Sequence, residues 1–171
     1  MPWKNGLGIT HEIIAAPEGE QWRWRVSLAD ITASASFSPF PGIDRTIAIV
    51  EGNGMRLEVD GFPIALKRCE PFAFSGDATA FGHLTHGRVR DLNLMTRRGE
   101  ASGSVRFLET GRDETLRGTR SPGVTLYVVV EGALLLDDEA LVPFDALFLD
   151  PNEELQAQGS ATLAEITLSL V

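Results

Sequence analysis

Asp91 and Asn93, two apart in the chain, and the cations Arg25, Arg45 and Lys4 are the residues whose types suggest chemistry, with Trp3 and Asn5 flanking Lys4. A guanidinium fork matches the two oxygens of a carboxylate, and an ammonium adds a point charge. An acid and an amide could take donors elsewhere on the same ligand. None of these groups is a nucleophile. The set is a toolkit for recognising a small anion, and it favours binding over catalysis.

Other chemistries find less support. The chain has no Gly-x-Ser-x-Gly, no phosphate-cradling loop ahead of a helix, and one cysteine, Cys69, with no evident histidine partner. A metal-binding barrel needs several His and carboxylate ligands on adjacent strands. Here only His11, His83 and His86 are available, and the last two, three apart, fall on opposite faces of a strand. No bound metal or other cofactor is expected. The rival reading is a metal-dependent enzyme, a dioxygenase or isomerase of a small carboxylate, drawing ligands from His83, His86, Asp91 and Glu12.

The element that must position Asp91 and Asn93 is a strand. In the run from Arg88 to Gly99, a period of two sends Leu92 and Leu94 to one face and Val89, Asp91, Asn93 and Met95 to the other. That second face admits two readings: a polar-lined cavity, in which each polar group needs a partner, or a strand with one wet face. Trp22, Trp24, Val26 and Leu28 alternate with Arg23, Arg25 and Ser27, a strand whose arginine face is by default solvated. Arg45 opens a third strand and shares its face with Ile47 and Ile49. That apolar wall would hold a guanidinium only against something negative, and Asp91 is the expected partner.

Short strands recur between Gly, Pro and Asp turns, with no convincing amphipathic helix. After Arg98 the composition turns to Gly, Ser and charge, and then the pattern repeats. Val128-Val129-Val130-Glu131-Gly132 echoes Ala48-Ile49-Val50-Glu51-Gly52, and Pro143-Phe144 echoes Pro71-Phe72. Alternating Ala164, Ile166, Leu168 and Leu170 stand where the Asp91 strand stands in the first copy. The expected fold is all-β, two similar barrel or jelly-roll units at 1–101 and 102–171. The first would hold the ligand site and the second would be structural.

Charge and composition narrow the partners. The formal net charge is −9, and only two of 15 basic residues are lysines, which argues against a nucleic-acid surface. A lone cysteine fits a reducing compartment, and no apolar run is long enough to span a bilayer, so a soluble cytoplasmic monomer or homodimer is expected.

Four motifs in order carry a resemblance: Pro2-Trp3-Lys4-Asn5-Gly6, Trp24-Arg25-Val26-Ser27, Phe37-Ser38-x-Phe40-Pro41-Gly42-x-Asp44-Arg45 and Arg90-Asp91-x-Asn93-x-Met95-Thr96-Arg97. Together they resemble the HutD/Ves family. Leu7 departs from the pattern, which usually has glycine there. The resemblance implies a bicupin, two RmlC-like barrels in one chain. It also implies a regulator or governor associated with histidine utilisation, with urocanate or formylglutamate as candidate ligands, or a role in stress response. Trp3, Lys4 and Asn5 are expected to close over the mouth of the first barrel.

Overall fold

The structure, a computed structural model, describes residues 8–119 and 123–171. Among them every regular element is a strand, and the chain divides after Ser102 into two compact units.

The first unit contains β1 (Gly8–Ala16), β2 (Trp24–Ile31), β3 (Ala35–Ser36), β4 (Ile43–Glu51), β5 (Met55–Val59), β6 (Phe62–Leu66), β7 (Phe72–Ser75), β8 (Ala80–His83) and β9 (Val89–Arg97). They form two sheets, ordered β1-β2-β9-β4-β7 and β3-β8-β5-β6. Ile31, Ile47 and Ile49 from the first sheet meet Met55, Leu57 and Ala80 from the second, so the two sheets enclose one core. Full burial of each large aliphatic there contributes about 1.5–3 kcal/mol.

In the sequence Glu51-Gly52-Asn53-Gly54 and Asp60-Gly61 read as successive hairpin turns, a meander through residues 46–66, and only its second half forms. Asp60-Gly61 does close the β5–β6 hairpin. β4 and β5, in contrast, lie in different sheets. The chain leaves β4 through a bulge between Ile49 and Glu51 and through Gly52, whose φ of +96° is open to glycine at little cost. A bulge bends a strand out of its ladder, so the polypeptide crosses to the facing sheet instead of doubling back.

The second unit is built from β10 (Ala101–Glu109), β11 (Asp113–Arg117), β12 (Val124–Leu136), β13 (Glu139–Leu141), β14 (Ala146–Leu149) and β15 (Glu154–Leu170). The order is β10-β15-β12-β13, with β11 also on β15 and β14 on β12. Its core gathers Leu116, Tyr127, Val129, Leu134, Leu149 and Leu163. The sequence echo is structural as well. The β12–β15 ladder bulges between Val129 and Glu131, followed by Gly132 at φ +79°, the counterpart of the Ile49/Glu51 bulge and Gly52.

Among the described residues no helix is long and apolar enough to cross a membrane.

Candidate functional site

Strand register builds the site. β2 and β4 flank β9 antiparallel, and their pairings set Arg25, Met95 and Arg45 in one row across the sheet. The next row is Ser27, Asn93 and Ile47, and the next Ala29, Asp91 and Ile49. Ile47 and Ile49 belong to the core of the first unit, so all three rows face its interior. Of the two readings open for the Asp91 face, the enclosed one holds: Asp91 is 0% exposed, and Asn93 and Arg45 4% each. Leu92 and Leu94, on the other face, are buried too.

Arg25 and Ser27 depart from the solvated face expected of their strand. Ser27 is buried and Arg25 half-buried, while Arg23, one residue before β2, is exposed. Trp22 also breaks the expected alternation with Trp24. It precedes the first residue of β2 and packs with Phe40, Ile43 and Met95, beside the inward row.

Buried charge needs compensation, and aromatic faces supply part of it. The Arg45 guanidinium carbon lies 5.0 Å from the Phe74 ring centroid, 5.4 Å from Phe37 and 5.5 Å from Phe40. Arg25 lies 5.3 Å from the ring of Trp22 and 5.8 Å from Phe40. Phe40 thus serves both cations. Its loop is pinned by Phe40 N–H donating to Gly76 O at 2.8 Å and Gly42 N–H donating to Asp77 Oδ1 at 3.1 Å. Arg98 bridges the Asp44 and Asp77 carboxylates across the same turn.

The expected ion pair between Arg45 and Asp91 is absent, because Asn93 stands between them. Arg45 Nη2 donates to Asn93 Oδ1 at 2.9 Å, and Asn93 Nδ2 donates to Asp91 Oδ1 at 2.7 Å. An amide accepts at one end and donates at the other, so it can relay between a cation and an anion where the register leaves them one row too far apart. Arg25 Nη2 reaches Met95 Sδ at 3.4 Å. Three buried atoms of this row and its neighbours have no hydrogen bond: Arg25 Nε, Arg45 Nε and Asp91 Oδ2.

Electrostatics follow from burial. Desolvation pushes the Asp91 carboxyl up to about 7, against the opposing pull of Arg45, Asn93 and, more weakly, the Ala29 amide. Desolvation also lowers Arg45 to about 10, with Asp91 opposing and the like charge of Arg25 assisting. Arg25 is lowered by burial and raised in part by Glu12. Two guanidinia in one inward row, with one carboxyl that holds its proton up to about 7, leave an excess of positive charge.

Trp3, Lys4 and Asn5 lie outside the described residues. The ligand set of the metal reading is not assembled. Asp91 faces the interior, whereas the neighbour of His83, Gly82, is the residue packed inward on Met55 and Phe37, which turns His83 to the other face of its strand. His83 Nε2 there stands 3.5 Å from Glu58 without hydrogen-bond geometry, while His86 bonds to Thr85 and Glu12 is exposed. Among the described residues no three His, Cys, Asp or Glu side chains are grouped to hold a metal ion. Sequence reasoning missed the aromatic cage. Phe37 and Phe40 were legible as parts of a Pro-rich segment, but which ring meets which guanidinium depends on the loop crossing from sheet to sheet.

Two facing sheets with buried polar side chains on the inner face give the first unit a cupin-type fold. A cupin 2 barrel protein from Leptotrichia buccalis shares the fold, with a TM-score of 0.61 at 10% identity over 96% of this chain and 89% of that one. The family model HutD matches residues 1–165, and the chain belongs to the HutD family. It is 40% identical to protein Ves of Citrobacter koseri over 96% of this chain and 87% of that one. The structure of HutD from Pseudomonas fluorescens superposes with a TM-score of 0.82 at 31% identity, covering 100% of this chain and 93% of that one.

Proposed function

We propose that the first unit binds a small carboxylate-bearing metabolite between Arg25 and Arg45, and that the protein acts as a metabolite-responsive regulator rather than an enzyme. The observation that carries this reading is the pair of caged guanidinia, each with a buried Nε–H that lacks an acceptor. An unmet buried donor costs about 1–3 kcal/mol, so an anion that accepts from both recovers that cost on binding. Asn93 and Asp91, one and two rows deeper, suit the polar end of the same ligand. Trp3, Lys4 and Asn5 belong to the site in this proposal, with Lys4 as a third cation.

Family membership supplies the context: a governor of histidine utilisation or of a stress response, with urocanate and formylglutamate as first candidates. Formate, the condition of the Pseudomonas fluorescens HutD structure, is the minimal probe. The test is a thermal-shift screen over formate, urocanate, formylglutamate and unrelated carboxylates. A ligand at 100 times its dissociation constant stabilises the protein by about 2.7 kcal/mol. A melting temperature unmoved by every carboxylate at millimolar concentration sinks the proposal.

A further inference from the structure

The two bulges put β4 and β9 on the same register as β12 and β15. Ile49 faces Asp91 as Val129 faces Leu163, so Ile47 corresponds to Tyr127, Asn93 to Glu165, Arg45 to Thr125 and Met95 to Thr167. The chemistry is changed at each position: a hydroxyl replaces the buried cation and a carboxylate replaces the relay amide. Around these residues the second unit opens a cavity of about 480 Å³, walled by Arg106, Glu114, Thr125, Tyr127, Glu165 and Thr167 among others.

Glu165 is the focus of that cavity. Only 7% exposed, it carries a carboxylate whose removal from water requires a cation or several donors. Its cation is Arg106, whose Nη2 donates to Oε1 at 2.9 Å and to Oε2 at 2.7 Å. One nitrogen spans both oxygens, so the two-nitrogen fork that makes Arg–carboxylate pairs strong is not used. The Arg106 side chain is 73% exposed against 8% for Glu165. A long side chain held largely in solvent loses rotamer entropy to keep this contact, and the contact is screened. Charge around the cavity is also uneven. Glu109, Glu114 and Glu165 line it with Arg106 and Arg117, and Arg117 is paired with Glu154, which is not among the lining residues.

We propose that the second barrel has its own binding site, for a small organic cation whose N–H head group takes the place of Arg106 on Glu165. The ligand's amine or amidinium donates to the Glu165 carboxylate at the buried end. The hydroxyls of Thr125, Thr167 and Tyr127 are bonded to Thr119 N–H, Ser104 Oγ and the Arg117 backbone, and each oxygen keeps a second lone pair for a ligand N–H, while Glu114 adds negative charge. This goes beyond the anion site of the first barrel and does not depend on it.

Tyr127 is the single tyrosine of the chain, so labelling with 3-fluorotyrosine places one fluorine resonance on the cavity wall. Titration with agmatine at constant ionic strength is expected to shift that resonance saturably. Tetramethylammonium, a cation without N–H donors, leaves it in place. Glu165→Gln, which keeps the shape and removes the charge, weakens agmatine by about tenfold or more. Arg106→Ala, a change at an exposed side chain, keeps or tightens agmatine binding, because the competing cation is gone. The proposal is overturned by a resonance that no amine moves, or by agmatine binding that survives Glu165→Gln in a folded variant. It is equally overturned if acetate shifts the resonance and Arg106→Ala abolishes the shift, since Arg106 would then be the anchor of an anion site. Should Glu165→Gln fail to fold, the direction of the Arg106→Ala effect decides alone.

Discussion

Arg45 meets Asn93, not Asp91: its Nη2 donates to Asn93 Oδ1 at 2.9 Å, and the amide's own N–H₂ reaches Asp91 Oδ1 at 2.7 Å. A direct Arg45–Asp91 pair would have cancelled the charge of the guanidinium. The relay leaves the cation attached at one corner of its fork, with Nε still free, while holding it rigid against three phenylalanine rings.

Asn93→Ala should therefore act on stability as much as on binding. Two buried groups, Arg45 Nη2 and Asp91 Oδ1, lose their partner at once, and each unmet buried group costs about 1–3 kcal/mol. The expected loss is about 2–4 kcal/mol in urea denaturation, within the range of broken buried networks. A loss below about 0.5 kcal/mol, the size of an ordinary surface substitution, would show that the relay is incidental.

Arg45→Lys keeps a cation in the aromatic cage and removes the fork. Carboxylate affinity should fall by about 1–3 kcal/mol, the worth of a charge-assisted hydrogen bond, with a smaller change in folding stability. Calorimetric titration of the best ligand from the carboxylate screen, beside a denaturation curve, separates the two. Normal binding by Arg45→Lys together with unfolding of Arg45→Ala makes Arg45 a structural cation and moves the ligand site elsewhere.

The bulge glycines are predicted to be intolerant of side chains. At Gly52 an added Cβ would lie 2.7 Å from the Arg88 carbonyl oxygen, and at Gly132 it would meet the Ser160 carbonyl, both at positive φ. Left-handed backbone alone costs an L-residue about 1–2 kcal/mol, and the clash adds to it. Gly52→Ala and Gly132→Ala should each lower stability by at least about 2 kcal/mol. Wild-type midpoints in denaturant for both variants would refute the matched-bulge account of how β4 and β12 are bent.

How far the sequence reaches can be judged at β9. Period two was enough to put Asp91, Asn93 and Met95 together opposite Leu92 and Leu94, and the Val-Glu-Gly echo was enough to reveal the repeat. The sequence could not say whether the polar face was enclosed, because that depends on which sheet lies opposite, and β5 crosses to the facing sheet where local turn signals suggest a meander. Arg25 illustrates the same limit. An arginine alternating with tryptophans reads as solvated until register places it beside Met95, in the row that ends at Arg45. Glu165, between Ala164 and Ile166, is legible in the sequence as a carboxylate on the opposite face of an alternating strand. Its cavity arises from Arg106 and Tyr127, remote in sequence and joined only through pairing with β15.

Asp91 should couple anion binding to a proton. Its carboxyl sits at about 7 in the folded protein against an ordinary value of 3.8, raised because burial disfavours the charged form. Below the ordinary value both folded and unfolded chains hold the proton, and the associated stability is fully present. As pH rises the unfolded chain releases the proton first, so that stability declines and is gone once pH passes the folded value. The difference between 3.8 and about 7 corresponds to at most about 4 kcal/mol, and Asp91→Asn should flatten this part of the profile. A carboxylate bound at Arg45 adds a further negative charge to the same cavity and raises Asp91 again. Near neutrality and above, binding therefore takes up a proton, and affinity weakens as the solution becomes more alkaline. Titration calorimetry at about pH 8 in buffers of different ionisation enthalpy reads the uptake directly as a buffer-dependent heat. Asp91→Asn should bind with heats independent of the buffer. Buffer-independent heats in the wild-type protein, with an affinity flat across the same range, would mean that Asp91 keeps its protonation state on binding and that the ligand's charge is answered by the two arginines alone.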